Sequence, residues 1–195
     1  VAVAGRAGPR LAIAAAIFAL AAAVFLPIRE HAWLNYDDDI YVTRNPEIQR
    51  GLDWEGLRWA FTSQQGANWF PLTRLSWMLD HRLHGLDAGG FLLTNLLLHA
   101  LASALLFLAL SKLADELPCS AFVAAVFAVH PLHVESVAWV SARKDLLSGV
   151  FFMLALLCHA WVVRGAHRRG AQAALFASMA LGLLAKPVLV TLPLV

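Results

Sequence analysis

His130-Pro-Leu-His-Val-Glu-Ser-Val-Ala-Trp-Val-Ser-Ala-Arg-Lys-Asp145 sets two histidines, a glutamate, an arginine, a lysine and an aspartate between two long apolar runs. Ionisable groups at a membrane boundary are costly unless they face water, one another or a substrate. The stretch therefore reads as an interruption between membrane-embedded helices and as a first candidate for an active site. Its surroundings decide the class. The chain has 195 residues, 60% of them hydrophobic and only 14% charged, and the charges fall in islands rather than along amphipathic faces. A soluble domain of this length needs charge over its whole surface, so the pattern predicts an all-α polytopic membrane protein. The net charge of +2 points to neither nucleic acid nor an acidic partner. Cys119 and Cys158 have no spacing that suggests a disulfide framework or a zinc site.

Working outward, five spans are expected, at about 11–28, 91–110, 121–140, 146–163 and 171–195, with a long loop at 29–90. Arg6 and Arg10 precede the first. Their flanks are similar to those of a signal peptide, but the apolar run continues through Val24 to Ile28 and reads as an uncleaved span. The second carries Asn95, His99 and Ser103 at intervals of four, one face suited to interhelical hydrogen bonds. In the third, His130-Pro131 arrives after about three turns, too early for a helix rising about 1.5 Å per residue to cross about 30 Å of hydrocarbon. Either the helix kinks and runs on to Val140, or it ends and non-helical chain follows against protein or water. Both versions put His130, His133 and Glu135 on the wall of a polar recess. In the fifth, Lys186 interrupts the apolar run beside Pro187 and either reaches that recess or snorkels to the interface.

The 29–90 loop holds much of the charge and most of the tryptophans. Asp53 is placed to cap a helix carrying Trp54, Leu57 and Phe61. Pro71 opens a second, with Leu72, Leu75, Leu79 and Leu83, that Gly85 closes. Both read as amphipathic helices in the headgroup region, with Trp59, Trp69 and Trp77 at the interface, or as a small extramembrane subdomain. The short basic segments, Arg6 and Arg10, Lys112, and Arg164, Arg168 and Arg169, fall on one side, predicted to be cytoplasmic. The long loop and the recess then face outward. Arg143 and Lys144 break the positive-inside pattern, which suggests a task there such as holding a phosphate.

No glycine-rich nucleotide loop, nucleophile elbow or HExxH helix is present. The remaining candidates are carboxylates from two loops: Asp37, Asp38 and Asp39 after the first span, and Glu135 and Asp145 around the recess. Adjacent acids can bind a divalent cation through hard oxygens or deprotonate a hydroxyl acceptor. A solvated acidic run is the plainer alternative.

Several segments in order and spacing resemble the membrane half of the transmembrane and tetratricopeptide-repeat O-mannosyltransferases and their bacterial relatives. They are Asn35-Tyr36-Asp37-Asp38 with Asn45-Pro46, Asn68-Trp69-Phe70-Pro71-Leu72-Thr73-Arg74-Leu75-Ser76, Asn95-Leu96-Leu97-Leu98-His99, and His130-Pro131-Leu132-His133-Val134-Glu135 with Arg143-Lys144-Asp145. The resemblance implies a glycosyltransferase of the C superfamily, of which this chain is the N-terminal membrane part, with downstream spans and tetratricopeptide repeats beyond Val195. It implies a polyprenyl-phosphate sugar donor, usually mannose, a protein Ser/Thr acceptor, and reaction on the non-cytoplasmic face of a membrane, here a bacterial inner membrane. The catalytic or metal-binding acids fall on Asp37 and Asp38, and Asp39 is a departure from the family pattern. The expected mechanism is an inverting displacement with lipid phosphate as leaving group. Asp37 or Asp38 activates the hydroxyl, Arg143, Lys144 and Lys186 hold the phosphate, and His130, His133, Glu135 and Asp145 line the recess, with Arg74 a further candidate. The competing classes are an ion- or proton-coupled transporter using His130, Glu135 and Asp145, and a membrane anchor for a partner-binding repeat domain.

Overall fold

The computed structural model describes residues 7–64, 68–165 and 168–194, all helix, turn and loop, with no strand among them. Arg6 and His167 lie outside the described residues. Among the described residues nine α-helices follow one another: α1 (Ala7–Phe25), α2 (Pro46–Arg50), α3 (Trp54–Thr62), α4 (Pro71–His84), α5 (Ala88–Leu113), α6 (Leu117–Val129), α7 (His133–Ala138), α8 (Arg143–Val163) and α9 (Arg168–Ala185). Tight helical turns at Leu26–Glu30 and Val140–Ala142 extend α1 and precede α8. Among the described residues three helical stretches are long and apolar enough to cross a membrane: Gly8–Glu30, Ala88–Leu113 and Val140–Val163. This is an all-α membrane protein.

α5 lies at the centre and packs on α1, α6 and α8, while α9 packs on α8. Where α1, α5 and α6 meet, the core is Ala14, Ile17 and Ala21 against Ala100, Ala104 and Phe107, with Ala124 and Ala128 from α6. Without a hydrophobic force between helices in lipid, small residues gain contact by letting backbones approach closely. A second core, at the opposite end of the bundle from the α1 N-terminus, is built from larger side chains: Phe25, Tyr41, Ile48, Phe70, Trp77, Phe91 and Val140 among them. It joins the long loop to the membrane helices.

The third apolar run does not form one helix over 121–140. α6 stops at Val129, because Pro131 has no backbone N–H to continue the ladder, and its 13 residues reach only about 20 Å at about 1.5 Å each. The carbonyls freed by this break are met by the polar stripe of α5. His99 Nε2 bonds the Ala128 carbonyl at 2.9 Å, and Asn95 Nδ2 donates to the carbonyls of Val137 (3.2 Å) and Trp139 (2.9 Å). Asn95, His99 and Ser103 are all buried, so the stripe seals a broken backbone inside the bundle.

The long loop is folded as its caps predict. Asp53 accepts from Gly56 N at 2.6 Å at the start of α3, Asn45 accepts from Glu47 N at 3.1 Å at the start of α2, and Gly85 ends α4 at φ 62. Trp77 is 1% exposed and stacks on Tyr41 instead of lying at an interface, a correction to the expected aromatic belt, while Trp54 is 75% exposed. The periodicity of α4 placed Trp77 on its apolar face but not what that face meets. At the other end of the bundle, Arg10 pairs with Asp115 at 2.7 Å and Arg164 donates to the Leu113 carbonyl at 2.9 Å. The basic termini of α1, α5 and α8 therefore share one end, and the long loop and the 130–145 stretch share the other.

Candidate active site

The site is assembled where the loop after α1 meets the turn before α8. Residues 36–38 make a tight turn in which Asp38 N donates to the Tyr36 carbonyl at 2.9 Å and Asp37 takes φ 67. A positive φ is uncommon outside glycine, and aspartate is among the residues that tolerate it. The three acids are thereby sent to three environments. Asp38 points inward, 1% exposed, with Oδ2 accepting from Leu34 N at 3.1 Å and Oδ1 from Ser141 N at 3.0 Å and Ser141 Oγ at 2.5 Å. Burial pushes its carboxyl above the ordinary aspartate range, against the downward pull of those hydrogen bonds. Asp39 is paired with Arg44 at 3.5 Å. Asp37 is half-buried, and among the described residues its carboxylate has no hydrogen bond or ion pair.

The four cations proposed from sequence also separate. Arg143 is fully buried and wholly engaged: its Nη2 lies 2.7 Å from Asp80 Oδ2 and donates to the Phe91 carbonyl at 2.7 Å, while Nε donates to Asn95 Oδ1. Asp80 is held in turn by Thr94 Oγ1 at 2.8 Å. This network joins α4, α5 and α8 below the site. Arg74, 2% exposed, donates to the carbonyls of Ala60, Ser63 and Asn68 and lies 4.9 Å from the ring centroids of Trp59 and Phe70, stapling the loop onto α4. Lys186 pairs with Asp145, and Thr73 Oγ1 fastens α4 to the neighbouring Ala185 carbonyl at 3.2 Å. Lys144 differs from the rest. Its ammonium sits among three rings, 5.7 Å from the centroid of Tyr41 and 5.9 Å from those of Phe70 and Trp139, and no carboxylate among the described residues pairs with it. Aromatic faces attract the cation without neutralising it, so it remains available to an anion.

The histidines form a separate group. His133 stacks near His99 (4.9 Å between rings) and Phe127 (4.3 Å), with the His130 ring 6.2 Å away. His130 Nδ1 accepts from Leu132 N at 3.2 Å, which closes the turn after α6. Glu135 is exposed. No hydrogen bond, ion pair or ring contact among the described residues joins these three to Asp37, Lys144, Asp145 or Lys186. His130 and His133 thus gather over α5, while Asp37 and Lys144 lie on the two segments joined through Tyr36 and Trp139. Among the described residues no three His, Cys, Asp or Glu groups converge, and each Asp38 oxygen accepts from a protein donor.

Ser141, Tyr36 and Asp80 were not legible as site residues. Ser141 looks like a small residue in a turn, and its role comes from a partner 103 residues away. Tyr36 matters through its carbonyl, which accepts from Trp139 Nε1 at 3.1 Å. Asp80 did carry a signal, since it lies three residues after Trp77 on the buried face of α4, where an acid needs a partner.

Sequence comparison finds distant homologues over part of the chain. It is 32% identical over 132 residues to protein O-mannosyl-transferase tmtc2 of Xenopus laevis, a stretch covering 64% of this chain and 16% of that protein. It is 30% identical over 162 residues to protein O-mannosyl-transferase TMTC4 of Homo sapiens, covering 72% and 22%. Against TMTC3 of Homo sapiens the identity is 38% over 89 residues, covering 46% and 10%. The chain thus spans less than a quarter of the length of these curated relatives. No family model matches it, and no solved structure does.

Proposed function

We propose that this chain is the N-terminal membrane part of a glycosyltransferase of the C superfamily, one that moves a sugar, mannose by resemblance, from a polyprenyl phosphate to a protein Ser or Thr hydroxyl on the non-cytoplasmic face. What supports the reading is that Asp37 and Lys144, neither of which has an ion-pair partner among the described residues, lie on two segments hydrogen-bonded together. The distant homology to protein O-mannosyl-transferases supports it.

The chemistry divides between the two groups. Asp37 accepts the proton of the acceptor hydroxyl as its oxygen attacks the anomeric carbon, and the bond from that carbon to the lipid phosphate oxygen breaks on the opposite face, inverting the configuration. Negative charge builds on the departing phosphate, and Lys144, in its low-polarity aromatic box, stabilises it there more than in the bound donor. Asp145, next to Lys144 in the chain, pairs with Lys186, and a phosphate competing for Lys186 would draw it from Asp145. Arg143 supports this arrangement from below through Asp80. The basic ends of α1, α5 and α8 lie on the cytoplasmic side in this reading.

The test uses the full-length protein in membranes with polyprenyl-phosphate mannose and other polyprenyl-phosphate sugars, scoring label on protein. Asp37→Asn is expected to abolish transfer with membrane levels unchanged, and Lys144→Gln to lower it at saturating donor. Full transfer by Asp37→Asn would sink the assignment.

A further inference from the structure

Of the three adjacent acids, Asp39 is paired with Arg44 and Asp38 is buried and hydrogen-bonded to the turn before α8. Asp38 has its two oxygens filled by three donors, Leu34 N, Ser141 N and Ser141 Oγ. Ser141 is itself fully buried, and its backbone N–H is free for this bond because it lies in the first turn of the helical segment Val140–Ala142, where N–H groups have no partner within the helix. On the other side of Asp37, the Tyr36 carbonyl accepts from Trp139 Nε1 at 3.1 Å, and the two rings lie 5.6 Å apart. The residues before and after Asp37 are therefore both fastened to the 139–141 turn, and that turn leads within three residues to Lys144. Trp139 touches both halves, since its ring is also one wall of the Lys144 box.

We infer that Ser141, acting with Asp38, is a positioning residue: a clamp that holds the Asp37 turn in its left-handed conformation and fixes the spacing between the Asp37 carboxylate and the Lys144 ammonium. This deepens the glycosyltransferase reading and rests on it. The physical argument is one of conformational cost. A free loop carrying Asp37 would relax from φ 67 toward the broad negative-φ region, and each strained residue of this kind persists only where its surroundings over-determine it. Here the surroundings are three hydrogen bonds to one buried carboxylate and one indole bond. Removing Ser141 Oγ leaves the Ser141 N–H bond in place, so the fold survives while the turn loosens.

The experiment measures turnover and donor KM of the full-length protein in membranes, normalised to folded protein, for Ser141→Ala, Asp38→Asn, their double variant and Asp37→Asn. The clamp predicts that Ser141→Ala lowers kcat by about 10- to 100-fold, the scale on which small misplacements of reacting groups act, with donor KM within about twofold. It also predicts that the double variant is no slower than the slower single, because both remove one interaction. If Asp37→Asn is inactive while Ser141→Ala turns over normally per folded molecule, the clamp is overturned and the glycosyltransferase reading stands. A loss in Ser141→Ala that tracks only the amount of folded protein, or kcat losses that multiply in the double variant, also overturns it. Full activity in Asp37→Asn removes the reading itself, and the clamp with it.

Discussion

Replacing Arg143 with methionine tests whether the fully buried guanidinium is a structural hub or a phosphate ligand. Arg143 is 0% exposed, and its partner Asp80 has a side-chain exposure of 3% at 2.7 Å. Removing one member of such a pair leaves the other charged and unpaired in a low-dielectric interior, at a cost of about 3–5 kcal/mol. The Phe91 carbonyl and Asn95 Oδ1 also lose their donor, and each buried unsatisfied acceptor adds about 1–3 kcal/mol. The ratio of folded to unfolded protein should therefore fall at least about 100-fold, at 1.4 kcal/mol per tenfold. Asp80→Leu alone should be similarly damaging, whereas Arg143→Met/Asp80→Leu, which removes both charges, should recover most of the loss. Denaturant titration of the full-length protein in mixed micelles measures all three. A single-variant cost below about 1 kcal/mol, the range of exposed pairs, or a double-variant cost equal to the sum of the singles would refute the hub. A double variant with restored stability but a sharply raised donor KM would instead make Arg143 a phosphate ligand.

Three further outcomes follow from the geometry. Gly89→Ala should destabilise by about 1–3 kcal/mol, because the added Cβ meets the Arg29 backbone carbonyl where α5 crosses the end of the first span; a neutral result in the same titration would contradict that close approach. Asp38 binds its proton more tightly folded than unfolded, so its contribution is fully present below the unfolded value near 3.8 and is lost as pH rises through the raised folded value. Stability against pH for wild type minus Asp38→Asn should fall over that window, and a flat difference would show the carboxyl to be unshifted. Arg10→Ala, which breaks the partly exposed pair with Asp115, should cost no more than about 1 kcal/mol, read as a small shift in denaturation midpoint.

The helices were legible for a simple reason. In lipid every backbone group must be satisfied within its own segment, so apolar length alone marks α1, α5 and α8, and Asp53, Pro71 and Gly85 mark the loop helices by local capping chemistry. The third run was harder. Pro131 announced a break, but whether the chain kinked or ended depended on whether the freed carbonyls found donors, and those donors, Asn95 and His99, sit on another helix. The expected belt of tryptophans failed for Trp77 on the same ground, since Tyr41 and Phe70 had to arrive from elsewhere to bury it.

Residue order alone makes the chain helical and membrane-embedded, with acids clustered after the first span and bases and histidines near 130–145. Tertiary structure alone decided which of those groups are spent. Asp37, Asp38 and Asp39 are the same side chain on consecutive residues, yet one has no partner among the described residues, one is buried against Ser141 and one is paired with Arg44. Arg143 and Lys144 are adjacent in the chain, yet one meets Asp80 and the other sits among aromatic rings. A charged group's availability depends on what stands within about 4 Å of it, and neighbours at that distance come from segments up to 105 residues away.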